Sequence, residues 1–278
     1  KAEREGLPKL LQNLKNRSDQ LNTRLGEVAQ EQDKCMVQHR LLQEKVEAGL
    51  LKQEEAASAG PAHSLDVTVS APRRIFVRGR GLEAELDELL DTCEALVEAG
   101  IDMSKVRPRI EHCSILHDDQ IARMKKLGVS ASFLIGHVHY WGVAMRDEVF
   151  GEEKAQLLDR CRSAEEAGVG FTLHSDFMVT NTLPLEMIEI AVTRRTWKEP
   201  DYLLAPQEAI SVESAIKAVT IHAAWQLMSE NEIGSLEVGK YADMVILEED
   251  PRKVKPTEIS EIAVLETWLN GKRVYTRE

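Results

Sequence analysis

Apolar residues recur at every seventh position along the first part of the chain. The repeat comprises Leu7, Leu14, Leu21, Val28, Cys35 and Leu42. Polar side chains, including Ser18, Gln32 and His39, interrupt the alternate positions of the heptad. One apolar seam beside a broken one predicts a helical extension over residues 1–58, either a marginal coiled coil or a long amphipathic helix, with disorder in isolation as the competing interpretation. A coiled coil would join copies of the chain into a homo-oligomer.

The composition changes after this extension. Residues 59–72 are small and polar and include Gly60 and Pro61, which predicts a linker. From Arg73 onward, short apolar runs alternate with amphipathic segments that stop at glycine. The predicted helices are 83–99, 117–127 and 152–167, followed by Gly100, Gly128 and Gly168. Repetition of strand, helix and glycine predicts a parallel α/β sheet over residues 73–232.

The last part of the chain has the pattern of short strands. The segments YADMVIL, AVLETWLN and KRVYT are rich in β-forming residues, and Asn270-Gly271 between the last two predicts a hairpin turn. Residues 233–278 are therefore predicted to form a small β unit after the α/β part.

Charge, hydropathy and cysteine spacing exclude several classes of protein. The formal net charge of -12 argues against a nucleic-acid-binding surface. No apolar run reaches the roughly 18 residues that a membrane-spanning helix needs, so no membrane partner is expected. The four cysteines are widely spaced without a CxxC pair, which favours a reducing, cytoplasmic location over a disulfide framework.

Polar residues with metal-binding chemistry stand where the predicted apolar strands end. His112 ends the first of these strands, His137 follows the second, and His174 and Asp176 end the third. Reactive groups lie at the carboxyl ends of the strands in parallel α/β barrels. Imidazoles and a carboxylate that converge there predict a divalent-metal site. A structural role is the alternative for each histidine, since an isolated strand-end histidine is more often structural.

Several segments occur in an order that resembles the amidohydrolase superfamily, above all its YtcJ-type branch. They are RIEHC, FLIGHVHYWG, AGVGFTLHSD, VTIHAAWQL and IGSLEVGKYADMVILEEDP. The resemblance runs from about Arg73 to the end and leaves out residues 1–58. It implies a partial (β/α)8 barrel, about strands 5–8 over residues 73–232. It also implies that residues 233–278 belong to the small β-sandwich that flanks such barrels.

The resemblance also implies an activity and roles for particular residues. Members of this superfamily bind one or two divalent metals, usually zinc, and use metal-activated water to hydrolyse carbon–nitrogen bonds of small molecules such as amides or formamides. The histidine position of the sixth strand, a metal ligand, is His112. The aspartate position of the eighth strand, which binds metal and shuttles a proton, is Asp176. His137 and His174 are implied to contact the substrate or to support the ligands.

The chain departs from the superfamily pattern at two ligand positions. No HxH motif precedes Arg73, and Arg78 stands where the fifth strand would carry a histidine ligand. An arginine is always cationic and cannot replace a neutral imidazole ligand. Strands one to four are therefore expected to be missing. Two alternatives to an active hydrolase stay open: a catalytically inactive, truncated remnant, or a coiled-coil interaction protein that uses the barrel portion as a scaffold.

Overall fold

The computed structural model describes residues 66–70, 74–78 and 83–278, with side chains from Leu86 onward. The described residues belong to one compact unit, Leu65–Glu278. The predicted helical extension and its coiled coil lie outside the described residues.

A hairpin of two short antiparallel strands opens the described part of the chain. β1 is Asp66–Ser70 and β2 is Arg74–Arg78, with Asp66 opposite Arg78. The linker predicted over 59–72 therefore contains a strand, because the alternating DVTVS segment has the two-residue period of a paired strand. In the described residues, β2 pairs with β1 and not with the parallel sheet that follows.

A parallel sheet forms the centre of the unit and confirms the predicted α/β arrangement. Its strands are β3 (Arg109–His112), β4 (Ser130–Leu134) and β5 (Phe171–His174), in that order. Glu111, Ser132 and Thr172 lie side by side in one row across the sheet. β4 is buried along its whole length, as expected for a parallel strand covered on both faces.

Two helices precede β3 along the chain, and a third connects β3 to β4. They are α1 (Glu83–Glu98), α2 (Met103–Val106) and α3 (Asp118–Leu127). α1 buries a stripe at helical spacing that includes Leu86, Leu90 and Cys93. α3 ends at Gly128, whose φ of +67° closes the helix in the left-handed conformation that glycine adopts most readily.

The crossover between β4 and β5 is irregular. It contains π-helical turns at His137–Trp141 and Met145–Phe150 around α4 (Gly142–Ala144), followed by α5 (Gly151–Ala155) and α6 (Cys161–Ala167). The prediction of one helix over 152–167 is wrong, since two helices are separated by an extended turn. In that turn, the carbonyl oxygens of Leu158 and Asp159 accept hydrogen bonds from the guanidinium of Arg194, at 2.7 and 3.0 Å. That long-range interaction interrupts the helix.

Three helices and an antiparallel sheet complete the unit. They are α7 (Pro184–Thr193), α8 (Val212–Ala218), α9 (Ile221–Gln226), β6 (Met244–Leu247), β7 (Val264–Leu269) and β8 (Lys272–Thr276), with 3₁₀ turns at Pro206–Glu208 and Pro256–Glu261. Asn270 and Gly271 both have positive φ angles, which confirms the predicted hairpin turn. Residues 233–278 contribute one sheet, in the order β6-β7-β8.

The hydrophobic core lies between the parallel sheet and its helices. The rings of Phe133 and Phe171 pack on one face of the sheet with centroids 5.8 Å apart, and Met124 of α3 is fully buried in the same cluster. From residue 66 onward, no described helix is long and apolar enough to cross a membrane.

Candidate active site

A left-handed turn at the end of β3 directs His112 into a cleft at the carboxyl end of the sheet. Regular alternation would place His112 on the same face as the buried Ile110. His112 and Cys113 instead have φ angles of +69° and +48°, and His112 lines the cleft together with Glu111. Non-glycine residues in this conformation cost about 1–3 kcal/mol each and are concentrated at functional sites.

His174 and Asp176 reach the same cleft from the end of β5. Asp176 Oδ2 lies 3.3 Å from Nε2 of His112, and Asp176 also has a positive φ of +46°. The rings of His112 and His174 stack with centroids 5.4 Å apart and an angle of 19° between their planes. The sheet therefore brings together three of the four residues predicted from the strand ends.

His137 lies at the edge of this group, in the π-helical turn after β4 and not on the strand itself. Its ring meets that of His112 edge-on, with centroids 6.2 Å apart. Ser114 Oγ lies 3.3 Å from its Nδ1. Burial, followed by repulsion from His112 and His174, lowers the pKa of His137 to about 4, so its imidazole is neutral at pH 7.

Burial also lowers the pKa of His174, which favours a neutral imidazole there. Its Nε2 is buried and has no hydrogen-bond partner within the described residues. An unpaired buried nitrogen is costly, typically about 1–3 kcal/mol.

The cleft has a volume of about 410 Å³. Its lining includes an ion pair between Arg109, at the start of β3, and Glu111, with Nε and Oε1 2.5 Å apart. Its wall is closed by Gln226 of α9. The amide of Gln226 donates to Ala131 O, at 2.8 Å, and its carbonyl oxygen accepts from Thr172 Oγ1, at 2.8 Å. These bonds fix α9 against the sheet.

Two other residues in the cleft region were not predicted from the sequence. Ser114 follows the strand-end motif and contacts His137, and Gln226 lies in the VTIHAAWQL segment. The position of Ser114 two residues after His112 is a signal that could have found it. No local pattern marks Gln226, since its partners are distant in the chain.

The remaining histidines of the described unit lie away from the cleft. His139 Nδ1 is 3.0 Å from Arg195 O and lines a different cavity. His117 starts α3, as predicted, and its backbone N–H donates to Gln120 Oε1 at 3.0 Å. His222 packs edge-on against Phe171.

The donor set of the cleft fits part of a metal centre. His112 Nε2 and Asp176 Oδ2 are close enough to share one ion, and both are partly exposed to the cleft. Within residues 66–70, 74–78 and 83–278, however, no group of three or more His, Cys, Asp or Glu side chains is arranged to hold a metal. A catalytic zinc normally has three protein ligands. The described residues alone therefore supply an incomplete ligand set.

Comparison with known proteins establishes the family. Residues 82–275 match the model of the amidohydrolase family, so the chain belongs to amidohydrolase family 3. The YtcJ protein of Bacillus subtilis is 23% identical over 61% of this chain and 32% of its own length. The resemblance stated from the sequence is confirmed.

Two further relatives have names that state an activity. The N-substituted formamide deformylase of Arthrobacter pascens is 31% identical over 79% of this chain and 40% of its own length. The crystal structure of a protein described as an uncharacterized metal-dependent hydrolase from Pyrococcus horikoshii OT3 has 27% identity and a TM-score of 0.53, over 63% of this chain and 34% of the other. The chain spans less than half the length of each of these relatives.

Proposed function

We propose that the chain acts as a metal-dependent hydrolase of carbon–nitrogen bonds other than peptide bonds, with a small amide or formamide as substrate. Family membership and the formamide deformylase relative support this reaction class. The observation that carries the proposal is the 3.3 Å approach of His112 Nε2 and Asp176 Oδ2 at the carboxyl end of a parallel sheet. Catalytic groups of barrel enzymes lie at that end.

The proposal assigns the unit to part of a barrel. β2 would correspond to the fifth strand of a (β/α)8 barrel and β3, β4 and β5 to strands six to eight. β6, β7 and β8 would belong to the flanking β-sandwich. The parallel order β3-β4-β5 and the crossover helices support this assignment.

The metal would be a divalent ion held in part by His112 and Asp176. Such an ion, when bound, lowers the pKa of water to about 7 and so supplies hydroxide at neutral pH. We infer that zinc is the ion, because imidazole nitrogen and carboxylate oxygen are both common zinc ligands. Further ligands would have to come from outside the described residues.

The chain's own residues would handle the proton and the substrate. Asp176 opens onto the cleft and would take a proton on its carboxylate and pass it to the leaving nitrogen. The proposal assigns to neutral His137 the tautomer in which Nδ1 accepts from the Ser114 hydroxyl and Nε2 carries the proton, which it would donate to a substrate carbonyl. His174 would use its unpaired Nε2 to bind the substrate or a ligand of the metal.

One observation favours a second candidate, a catalytically inactive member of the family. It is the lack of a three-residue metal-binding group in the part of the chain that the structure describes. Such a protein would retain the fold without hydrolysis. The predicted homo-oligomer through residues 1–58, the coiled-coil interaction role and the cytoplasmic location all remain predictions.

Hydrolysis of a simple formamide by the full chain tests the proposal. The chain is incubated with Zn²⁺ and N-benzylformamide, and formate release is measured. We expect turnover that falls about 100-fold or more in Asp176→Asn, the usual effect of removing a general acid–base group, and comparably in His112→Ala. His222→Asn, on the face away from the cleft, is the control and keeps the activity. No turnover by the unaltered chain would favour the inactive member.

A further inference from the structure

The hydroxyl of Ser114 lies against the imidazole of His137, at the edge of the candidate active site. Ser114 Oγ is 3.3 Å from His137 Nδ1, close enough for the two groups to share a hydrogen bond. Ser114 follows β3 and His137 follows β4, so the two residues meet because these neighbouring parallel strands end at the same edge of the sheet. The pair therefore links the turn that carries His112 to the π-helical turn after β4.

The backbone holds Ser114 in place. Its carbonyl oxygen accepts a hydrogen bond from the N–H of Asp159 at 3.0 Å, and the N–H of Cys113 donates to Glu111 O at 3.0 Å. The side chain of Cys113 is fully buried, and its thiol donates to Ile110 O at 3.3 Å. Because the turn is anchored on both sides, the main freedom left to the Ser114 hydroxyl is rotation of its own side chain.

Ring contacts restrain the orientation of the His137 imidazole but leave the position of its proton open. The ring meets those of His112 and Trp141 edge-on, with centroids 6.2 and 5.8 Å apart. Burial lowers the pKa of His137 to about 4, so the neutral ring carries one proton, on either Nδ1 or Nε2. Among the described residues, the Ser114 hydroxyl is the hydrogen-bond partner of this ring. The choice between the two tautomers therefore depends on Ser114.

We propose that Ser114 is a positioning residue of the site: its hydroxyl donates to Nδ1 of His137 and holds the imidazole in the tautomer that carries its proton on Nε2. In the reverse arrangement, Nδ1 would donate to Ser114 Oγ. The hydroxyl proton would then have no partner within the described residues and would depend on solvent. Pairing within the protein favours the first arrangement, because a partly buried donor without a partner costs free energy.

The consequence for catalysis rests on the proposed function. An Nε2–H group of His137 can donate to a substrate carbonyl oxygen and stabilise the negative charge that develops there, whereas a bare Nε2 would repel that charge. Hydrogen-bond partners that fix the tautomer of histidines in metal sites typically contribute about 10–100-fold to activity. Since Ser114 acts through His137 and not on the substrate, its loss should lower kcat and leave KM nearly unchanged.

The tautomer of His137 can be measured directly in the full chain. Histidine with isotope-labelled ring nitrogens is incorporated, and two-bond proton–nitrogen NMR spectra at neutral pH distinguish a protonated ring nitrogen from an unprotonated one. The signals of His137 are identified by their loss in His137→Gln. We expect Nδ1 to be unprotonated in the unaltered chain and in Ser114→Thr, which keeps the hydroxyl. In Ser114→Ala, the signals should shift toward a mixture of the two tautomers.

Activity and metal binding separate positioning from a general disturbance of the turn. In the formate-release assay, Ser114→Ala should lower kcat about tenfold and leave KM within about twofold, whereas Ser114→Thr should keep kcat within about threefold. Zn²⁺ binding by Ser114→Ala should equal that of the unaltered chain, because His112 and Asp176 remain. Ser260→Ala, at an exposed serine of the 3₁₀ turn Pro256–Glu261, is the matched control and should change none of these quantities.

The possible outcomes separate this inference from the proposed function. An unprotonated Nδ1 that depends on the Ser114 hydroxyl, in a chain without turnover, supports the role of Ser114 and removes the proposed activity. A protonated Nδ1 in the unaltered chain, or the same tautomer in Ser114→Ala, overturns the inference and leaves the activity standing. A loss of Zn²⁺ binding in Ser114→Ala as large as that in His112→Ala also overturns it, since Ser114 would then serve the structure of the turn.

Discussion

His112 Nε2 lies 3.3 Å from Asp176 Oδ2, although β4 separates the two strands whose ends carry these residues. The approach is possible because His112 leaves the regular alternation of β3 in a left-handed turn, with φ of +69°. Asp176 also adopts a positive φ, of +46°. Both side chains thus reach the cleft from backbone conformations that cost energy, which the surrounding fold must compensate.

Asp159 predicts a decrease of stability with rising pH. Its carboxyl is completely buried, with no hydrogen-bond partner in the described unit, and burial raises its pKa well above the usual 3.8. Above about pH 4, the carboxyl of Asp159 therefore keeps its proton in the folded state, whereas it has lost that proton in the unfolded state. Stability should fall across that range, by up to about 1.4 kcal/mol for each pH unit.

Asp159→Asn removes this titration, so the variant should gain stability relative to the unaltered chain as the pH is raised from 5 to 8. Urea unfolding at both pH values measures the difference. Asp119→Asn, at an exposed position of α3, serves as the control and should show no such gain. An equal stability change at the two pH values would contradict the assignment of a buried, protonated carboxyl.

We expect that replacing the buried Arg194 with lysine, a conservative substitution, greatly lowers the stability of the folded chain. Its guanidinium is fully buried and donates to three carbonyl oxygens, those of Leu204, Asp159 and Leu158, at 2.9, 3.0 and 2.7 Å. A lysine keeps the charge but cannot reproduce the planar arrangement of donors. Arg194→Lys should leave buried carbonyls unpaired and lower the free energy of unfolding by about 2–4 kcal/mol.

Thermal and urea unfolding measure the loss. Arg162→Lys is the matched control, because Arg162 makes an exposed ion pair with Glu166 one helical turn away. Exposed pairs of this kind contribute at most about 0.5 kcal/mol. Similar effects of the two substitutions would mean that the guanidinium of Arg194 does not hold the turn between α5 and α6.

Two glycines without close neighbours, only one of which has a positive φ, measure the energetic cost of a left-handed backbone. Gly128 has a φ of +67° and open space where a β-carbon would stand, whereas Gly170 has an ordinary φ and a β-carbon there would meet only Ser130, at 3.9 Å. Gly128→Ala should cost about 1 kcal/mol because only the left-handed backbone opposes it. Gly170→Ala should be close to neutral. A comparison of urea midpoints tests this, and equal effects would argue against a left-handed end of α3.

Local patterns predicted the elements whose cause is local. The apolar stripe of α3 and the glycine after it predicted that helix, and the Asn270-Gly271 pair predicted the last hairpin. The strand-end rule also predicted that His112, His174 and Asp176 would meet, because parallel strands bring their carboxyl ends to one edge. Their distances followed from geometry that only the fold provides.

Features that depend on residues far apart in the chain could not be predicted from the sequence. The break before α6 is due to hydrogen bonds from Arg194, far along the chain, to two carbonyl oxygens of the turn. No property of residues 152–167 indicates this break. Gln226 was missed for the same reason, since its bonds go to β4 and β5. The π-helical turn at His137 was likewise not predicted, since the sequence analysis placed His137 at the end of a strand.

Metal binding by the full chain tests the central claim most directly. The purified protein is titrated with Zn²⁺ by calorimetry, and retained metal is measured by mass spectrometry after dialysis. We expect binding that weakens about tenfold or more in both His112→Ala and Asp176→Asn, the usual effect of disturbing a metal site, while His222→Asn binds as the unaltered chain does. Zinc binding that is absent, or that is the same in all four proteins, would contradict the assignment of His112 and Asp176 as metal ligands.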